Sequence, residues 1–147
     1  QPWLHTSAAA QLRHGQRAFA MLEEIPAEDS VSATAMLVPH LARREVAVRF
    51  PNSSRYRDRD GQARQVDWIA ADLEQPIREA WAFPKERKSL HRRLRSLEEA
   101  RRSGYGLVQC QNGLLLLGLG QADLPVAIGN WEKLLDSAPG GIDSKPK

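Results

Sequence analysis

The sequence predicts a small α/β domain: a mixed sheet of about five strands, built from a β-α-β unit and a C-terminal β-hairpin, with helices packed on it. Strand-like and helix-like segments alternate in residues 30–72, as expected for a parallel β-α-β unit. Asn112 and Gly113 separate two apolar runs, which is the signature of a tight hairpin. The chain has 147 residues, a length that fits one domain with its own core.

A first helix is predicted from the alanine-rich start to residue 25. Thr6 or Ser7 supplies an N-cap. Pro26 ends the helix, because the residue before a proline avoids helical dihedral angles. We expect one apolar face to point inward, formed by Leu12, Phe19 and Leu22.

The β-α-β unit follows this helix. We expect a short strand at 30–33, a helix at 35–43 and a second strand at 45–50. Residues 66–73 are almost continuously apolar, a pattern typical of a central strand covered on both faces. Residues 53–65 are rich in Arg, Asp, Ser and Gly, and we expect them to form a mobile surface loop.

The C-terminal half combines a basic helix with the hairpin. Residues 75–83 are predicted as a linker, and Pro84 opens a helix that runs to residue 103 with a leucine stripe on one side. The hairpin occupies residues 105–119. A short helix at 130–136 then carries Trp131 and a leucine inward.

Length and composition limit the classes of protein. We assign residues 1–136 to one domain and 137–147 to a disordered tail that contains two Pro and two Gly. Apolar runs such as residues 114–117 are far shorter than the roughly 20 residues of a membrane-spanning helix. No signal peptide is recognised. The chain begins at Gln1 instead of Met, so we expect it to be a piece of a longer protein.

Motifs for a bound cofactor or metal are not found. Cys110 is the single cysteine, so no intrachain disulfide forms, and its position in a strand predicts a core residue and not a nucleophile. A thiolate zinc site is excluded, and the four histidines are scattered, so we predict no metal. The G-x-G patterns at 104–106 and 118–120 lack the third glycine of a dinucleotide motif, so we predict no cofactor.

Basic charge is concentrated in two segments. Residues 85–103 carry eight Lys or Arg against three acids, and residues 43–64 carry seven against three. Arg92, Arg93 and Arg95 form the predicted basic surface. Such segments suit an anionic ligand or a lipid headgroup, although a solvated charged face is the commoner outcome.

His40 and Asp72 are the main candidate ligand-binding residues. Each follows or ends a predicted strand, and α/β proteins bind ligands at the carboxyl ends of parallel strands. Arg43 and Arg44 complete the candidate set, and no catalytic residue is assigned. The structural alternatives are a histidine that holds its helix to the sheet and a carboxylate that caps the next turn. Asp67 lies five residues before Asp72, on the opposite face of the strand, so the two are not a catalytic pair.

One stretch of the chain resembles a known family. The residues that carry it are Ile25-Pro26, Val31-Ser32-Ala33, Leu37-Val38-Pro39-His40-Leu41-Ala42-Arg43-Arg44, Phe50-Pro51 and Val66-Asp67-Trp68-Ile69-Ala70-Ala71-Asp72. The stretch resembles the C-terminal soluble part of a bacterial family of predicted polytopic membrane proteins, domain of unknown function 2079. The resemblance covers residues 20–73 and is most specific at 37–41. It departs at Val48, where an aromatic is usual, and at Val66, where alanine is usual.

The resemblance implies a role for the domain. The family is similar to integral-membrane glycosyltransferases that use lipid-linked sugar donors. This domain would be a non-catalytic accessory or binding module on the extracytoplasmic side, with the membrane-embedded remainder of the parent chain as its partner. No catalytic residue carries over, because the catalytic acids of such enzymes lie in loops of the membrane region.

Two alternatives stay open. A nucleotide- or nucleic-acid-binding α/β module would use the basic helix at 85–103, and its affinity would fall steeply with salt. Nucleic acid is disfavoured because the three arginines of the basic surface have no neighbouring aromatic residues on which bases could stack. A small hydrolase or transferase would use His40 and Asp72 and would need them in one pocket, but no pair of nucleophile and base is identifiable.

Overall fold

The structure, a computed structural model, describes residues 7–139. Its helices are α1 Ala8–Glu23, α2 Glu74–Ala82, α3 Pro84–Arg102 and α4 Pro125–Ser137. Its strands are β1 Val31–Ala33, β2 Ala47–Arg49, β3 Arg55–Arg57, β4 Ala63–Gln65, β5 Trp68–Asp72, β6 Tyr105–Gln111 and β7 Leu114–Leu119. A short 3-10 helix, Val38–Leu41, lies between β1 and β2.

Five strands form one mixed sheet in the order β2-β1-β5-β7-β6. β1 pairs in parallel with β2 on one side and with β5 on the other, so that Ser32 lies opposite both Val48 and Ile69. β7 pairs antiparallel with β5 and with β6. The predicted fold class, a β-α-β unit joined to a C-terminal hairpin, is therefore confirmed.

The sheet is covered on both faces, as the apolar run at 66–73 predicts. Ile69 and Ala71 of β5 face a core shared with α2, α3 and α4, in which Leu94 and Trp131 are fully buried. Ala70 points to the other face, into a smaller core shared with α1 and the 3-10 helix. The alternation follows from the two-residue period of a strand, and it gives the domain three layers.

α1 begins as predicted but is rotated about its axis relative to the expectation. Ser7 is its N-cap, and the Ser7 hydroxyl accepts a hydrogen bond from the Ala10 amide at 3.1 Å; Thr6 lies outside the described residues. The predicted inward face is wrong at two positions, because Leu12 is 64% and Phe19 is 53% exposed. The buried face consists of Ala18, Met21, Leu22 and Ile25. Leu22 is thus the one residue of the predicted face that is buried.

The connection between β1 and β2 is shorter than the predicted helix at 35–43. Only one 3-10 turn forms, in which the His40 amide donates to the carbonyl of Leu37 at 3.0 Å. Pro39 has no N–H and so cannot support a longer α-helical ladder. Leu37 and Leu41 are both buried, so the turn still covers the sheet as the predicted helix was expected to do.

The predicted hairpin between β6 and β7 is confirmed. Asn112 and Gly113 both have positive φ, 55° and 79°, as a type I′ turn requires. The turn also packs tightly against the start of α2: a Cβ at position 113 would lie 2.9 Å from the backbone nitrogen of Glu74. The hairpin therefore contacts the same region as the end of β5.

Two predictions about connecting segments are wrong. Residues 53–65, expected to be a loop, contain the antiparallel pair β3 and β4, whose turn is held by Asp58 through the amides of Asp60 and Gln62 and the Arg64 side chain. Residues 75–83, expected to be a linker, form most of α2. Pro76 is tolerated there because amides in the first turn of a helix have no intrahelical partner.

The last helix is longer than expected, since α4 begins at Pro125 and not at residue 130. Trp131 is buried as predicted. The carbonyl of Pro139 accepts a hydrogen bond from His91 Nε2 at 2.9 Å. Residues 140–147 of the predicted tail lie outside the described residues.

Candidate ligand-binding crevice

The carboxyl ends of three parallel strands meet at one edge of the sheet. The chain leaving β1 returns to the sheet as its neighbour β2. The chain leaving β5 passes through α2 and α3 and returns as β6, at the opposite edge of the sheet from β2. The connections therefore diverge between β1 and β5. Such a topological switch point is where open α/β sheets bind ligands. Thr34, directly after β1, and Asp72, at the end of β5, flank it.

A cavity of about 220 Å³ opens beside these two residues, and we call it the crevice. It is lined by Thr34, Ala35, Met36, Arg49, Phe50, Pro51, Asn52, Asp72, Pro76 and Arg93. Two arginines, one aspartate, one threonine and one asparagine thus line a common space. Pockets for drug-sized ligands span roughly 300–1,000 Å³, so the crevice suits a smaller group such as a phosphate or a single sugar.

Asp72 is the most tightly held polar residue of the crevice, at 7% exposed. Its amide donates to the Thr34 hydroxyl at 2.9 Å, which ties the end of β5 to the end of β1. Its carboxylate accepts a hydrogen bond from the Glu74 amide at 3.1 Å and so caps the turn that starts α2. The capping alternative therefore describes a role that Asp72 has in this structure.

His14 joins Asp72 from the neighbouring helix α1. Its Nε2 lies 2.8 Å from Asp72 Oδ2, and its Nδ1 lies 2.6 Å from Glu74 Oε2. Sequence reasoning missed this residue, because the histidines were judged by their distance along the chain. A usable signal was present: His14 precedes Ala18 and Met21 by four and seven residues, so it lies on the buried face of α1.

Of the three arginines in the predicted basic surface, only Arg93 reaches the crevice. It is partly buried, and its Nη1 donates to the Ser89 hydroxyl one turn earlier at 2.8 Å. Arg92 and Arg95 are exposed on α3 and line neither of the two cavities described here. The structure therefore brings Asp72 and Arg93 to one site and leaves the other two arginines outside it.

The remaining candidates lie elsewhere. His40 is exposed and lines a second, shallower depression together with Phe19 and Arg44. Arg43 is exposed and lines neither cavity. His40 and Asp72 thus border different cavities, so among the described residues the shared pocket that a hydrolase or transferase built on them requires is not formed.

The Arg44 side chain forms hydrogen bonds within the protein. Its guanidinium donates to the carbonyl of Pro26 at 2.6 Å and to that of Ile25 at 3.0 Å, and it reaches the carbonyls of Asp29 and Leu22 at 3.3 and 3.5 Å. These groups follow or end α1, where helix carbonyls lack intrahelical donors. Arg44 therefore ties the 3-10 connection to the end of α1.

Asp67, Cys110 and Gly106 also have structural roles or are buried. Asp67 accepts hydrogen bonds from the amide and hydroxyl of Ser30 at 2.9 and 3.0 Å, which fixes the starts of β1 and β5. Burial raises the pKa of the Cys110 thiol to about 11, so the thiolate does not form near neutral pH. A Cβ at Gly106 would overlap the carbonyl of Gln121, so this glycine permits close packing.

The family assignment follows from a comparison with known proteins. The sequence model of the family described as predicted membrane protein (DUF2079) matches residues 1–116, well over half of the chain. The chain belongs to this family. The match includes every residue that lines the crevice and extends the resemblance seen at 20–73 in both directions. No curated protein and no solved structure matches the DUF2079 chain.

The family description concerns membrane proteins. Among residues 7–139 no helix combines the length and the apolar character needed to cross a bilayer. α4 lies beyond the matched residues, whereas α1, α2 and α3 lie within them.

Proposed function

We propose that this DUF2079 chain is a non-catalytic, extramembrane binding domain of a membrane protein, and that its crevice binds a phosphate-bearing ligand. The main support for this proposal is that Arg49, Arg93 and Asp72 line one cavity at the switch point of the sheet. The family match supports the link to a membrane protein.

A phosphate group fits the basic side of the crevice. A guanidinium offers up to five N–H donors in a planar arrangement that matches phosphate oxygens. Arg93 is held in place by Ser89, so less side-chain freedom is lost when an anion binds. Asn52 and the hydroxyl of Thr34 add neutral donors beside the two arginines.

The acidic side of the crevice favours a ligand that also carries hydroxyl groups. The Asp72 carboxylate accepts hydrogen bonds only, and it has lone pairs beyond those used by His14 and the Glu74 amide. A bare phosphate would be repelled by it, whereas a sugar or glycerol hydroxyl would donate to it. The ligand class is therefore a phosphorylated polyol, either a soluble sugar phosphate or the headgroup of an anionic lipid.

Binding without catalysis is supported by the residues of the crevice. Its lining contains no Ser, Cys, His or Lys. Its one hydroxyl, that of Thr34, accepts a hydrogen bond from the Asp72 amide, and its single carboxylate contacts His14 and accepts from the Glu74 amide. A nucleophile with an adjacent base is the minimum that covalent catalysis requires. We place the domain on the extracytoplasmic side, on its resemblance to membrane glycosyltransferases with lipid-linked donors, and a topology reporter fused to the natural protein tests this.

Calorimetric titration of the full 147-residue chain tests the binding proposal. The probes are inorganic phosphate, a hexose 1-phosphate and vesicles that contain phosphatidylglycerol, and the two phosphorylated polyols distinguish a soluble ligand from a lipid headgroup. Replacing Arg93 by Gln should weaken binding by roughly 10- to 100-fold, the equivalent of one charge-assisted hydrogen bond. Arg92→Gln is the matched control on the same helix and should leave affinity unchanged. Equal losses in both variants would instead indicate diffuse attraction to α3.

A further inference from the structure

Three side chains from separate elements meet beside the crevice: His14 from α1, Asp72 from the end of β5 and Glu74 from the start of α2. One imidazole nitrogen and one oxygen from each carboxylate all lie within 4.8 Å of one another. The two shortest contacts are 2.8 Å from Nε2 to Asp72 and 2.6 Å from Nδ1 to Glu74. The group is partly buried, and Asp72 is almost fully so.

The cluster offers more hydrogen-bond acceptors than donors. Each carboxylate contributes acceptor oxygens only, and the two carboxylates lie on either side of one imidazole in a partly buried place. The same lone pairs are the ones that a bound cation takes up.

We propose that His14, Asp72 and Glu74 bind a divalent transition-metal ion, with Zn²⁺ as the representative. Imidazole and carboxylate groups are the ligands that zinc takes outside thiolate sites. One ring nitrogen and two carboxylates neutralise a divalent ion. The prediction of no metal rested on the missing thiolates and on the scatter of the histidines along the chain, and it did not anticipate that His14 would meet two carboxylates.

The surroundings of the cluster hold its ligands in place. The Glu74 amide fixes Asp72, and the guanidinium of Arg78 lies 3.7 Å from the second oxygen of Glu74. Such outer contacts orient metal ligands and raise their affinity. Since zinc is usually four-coordinate, three protein ligands leave one position for water or for an oxygen of a molecule in the adjacent crevice.

The cluster also has a structural consequence. It is a polar link between α1 and the β5–α2 junction, and His14 and Asp72 are 58 residues apart in the sequence. Asp72 belongs to both the cluster and the crevice, whereas His14 and Glu74 do not line the crevice, and Arg49 and Arg93 are not part of the cluster. His14→Gln and Glu74→Gln therefore test zinc binding, and Arg93→Gln tests phosphate binding, so the two failures are distinguishable. A bound ion would fasten α1 to the rim of the crevice.

Titration of the full 147-residue chain, freed of metal by a chelator, with Zn²⁺ alone tests the inference. Calorimetry should give one tight site per chain, and His14→Gln and Glu74→Gln should each weaken binding by about tenfold or more. The matched controls are His40→Gln, in the other depression, and Glu79→Gln, five residues further along α2. Both controls should bind zinc as the unmodified chain does.

Nitrogen NMR of the His14 ring separates ligation from a remote effect. Zinc should strongly shift the resonance of the ring nitrogen of His14 that binds it and should shift the other ring nitrogen much less. Circular dichroism confirms that each variant is folded. The inference is overturned if zinc does not bind, if His14→Gln binds it unchanged, or if neither ring nitrogen of His14 shifts at saturating zinc.

Discussion

Replacing Arg44 by Ala decides whether this candidate ligand residue is structural. The guanidinium contacts four carbonyls at the end of α1, and two of these contacts, to Pro26 and Ile25, have ordinary hydrogen-bond lengths of 2.6 and 3.0 Å. The other two are longer, at 3.3 and 3.5 Å, and contribute less. The expected loss of folding free energy on removing Arg44 therefore comes mainly from about two hydrogen bonds of a charged donor.

The magnitude follows from these contacts. A hydrogen bond from a charged donor contributes about 1.5–3 kcal/mol when buried. Arg44 is only partly buried, so water recovers some of the bonding after its removal, and the loss is reduced. We expect Arg44→Ala to lower the free energy of unfolding by about 2 kcal/mol and the Tm by roughly 4–8 °C for a domain of this size.

Urea and thermal unfolding measure the effect. Arg43→Ala is the matched control, since Arg43 is adjacent and exposed, and it should change stability by less than about 0.5 kcal/mol. Equal stability of the two variants would refute the structural role of Arg44. If Arg44→Ala instead lost phosphate binding while its stability was unchanged, Arg44 would be a ligand-binding residue.

Three further predictions concern the core, the hairpin and the thiol. Leu94→Ala should cost about 2–5 kcal/mol in urea unfolding, because the side chain is fully buried and leaves a cavity. Gly113→Ala should cost about 1–3 kcal/mol in the same assay, because φ is 79° and the new Cβ meets the Glu74 backbone; Gly129→Ala, with open space around it, should not destabilise. Burial raises the pKa of Cys110 from 9.0 to about 11, so its contribution to stability is intact below pH 9. As pH rises toward 11, stability should fall by roughly 2–3 kcal/mol relative to Cys110→Ala. A constant difference between the two chains across that range would contradict the burial argument.

Local sequence signals predicted those parts of the fold that depend on neighbouring residues. Asn112 and Gly113 specify a turn whatever lies around them, because few other residues accept positive φ at both positions. The continuous apolar run at β5 required cover on two faces, and the two cores supply it. Ser7 likewise caps α1 through its own side chain.

Predictions that depended on tertiary contacts were less successful. The face of α1 that is buried contains Ala18, Met21 and Leu22, and counting apolar residues does not distinguish it from the face with Leu12 and Phe19. Residues 53–65 have few apolar groups, yet Asp58 supplies the turn bonds that hold β3 to β4.

The candidate site was predicted in part for the same reason. Asp72 was found because position at a strand end is a local property. His14 was missed, because its partners lie 58 and 60 residues away. Arg93 was singled out only as one of three similar arginines, since sequence alone does not show which of them turns toward the crevice.

A map of backbone amide shifts during titration with a hexose 1-phosphate tests the central claim most directly. If the switch point between β1 and β5 holds the ligand, the amides of residues 34–36, of Asn52 and of Asp72 should shift together and saturate at one concentration. Shifts confined to the outer side of α3, around Arg92 and Arg95, would contradict it and place the anion on the exposed helix.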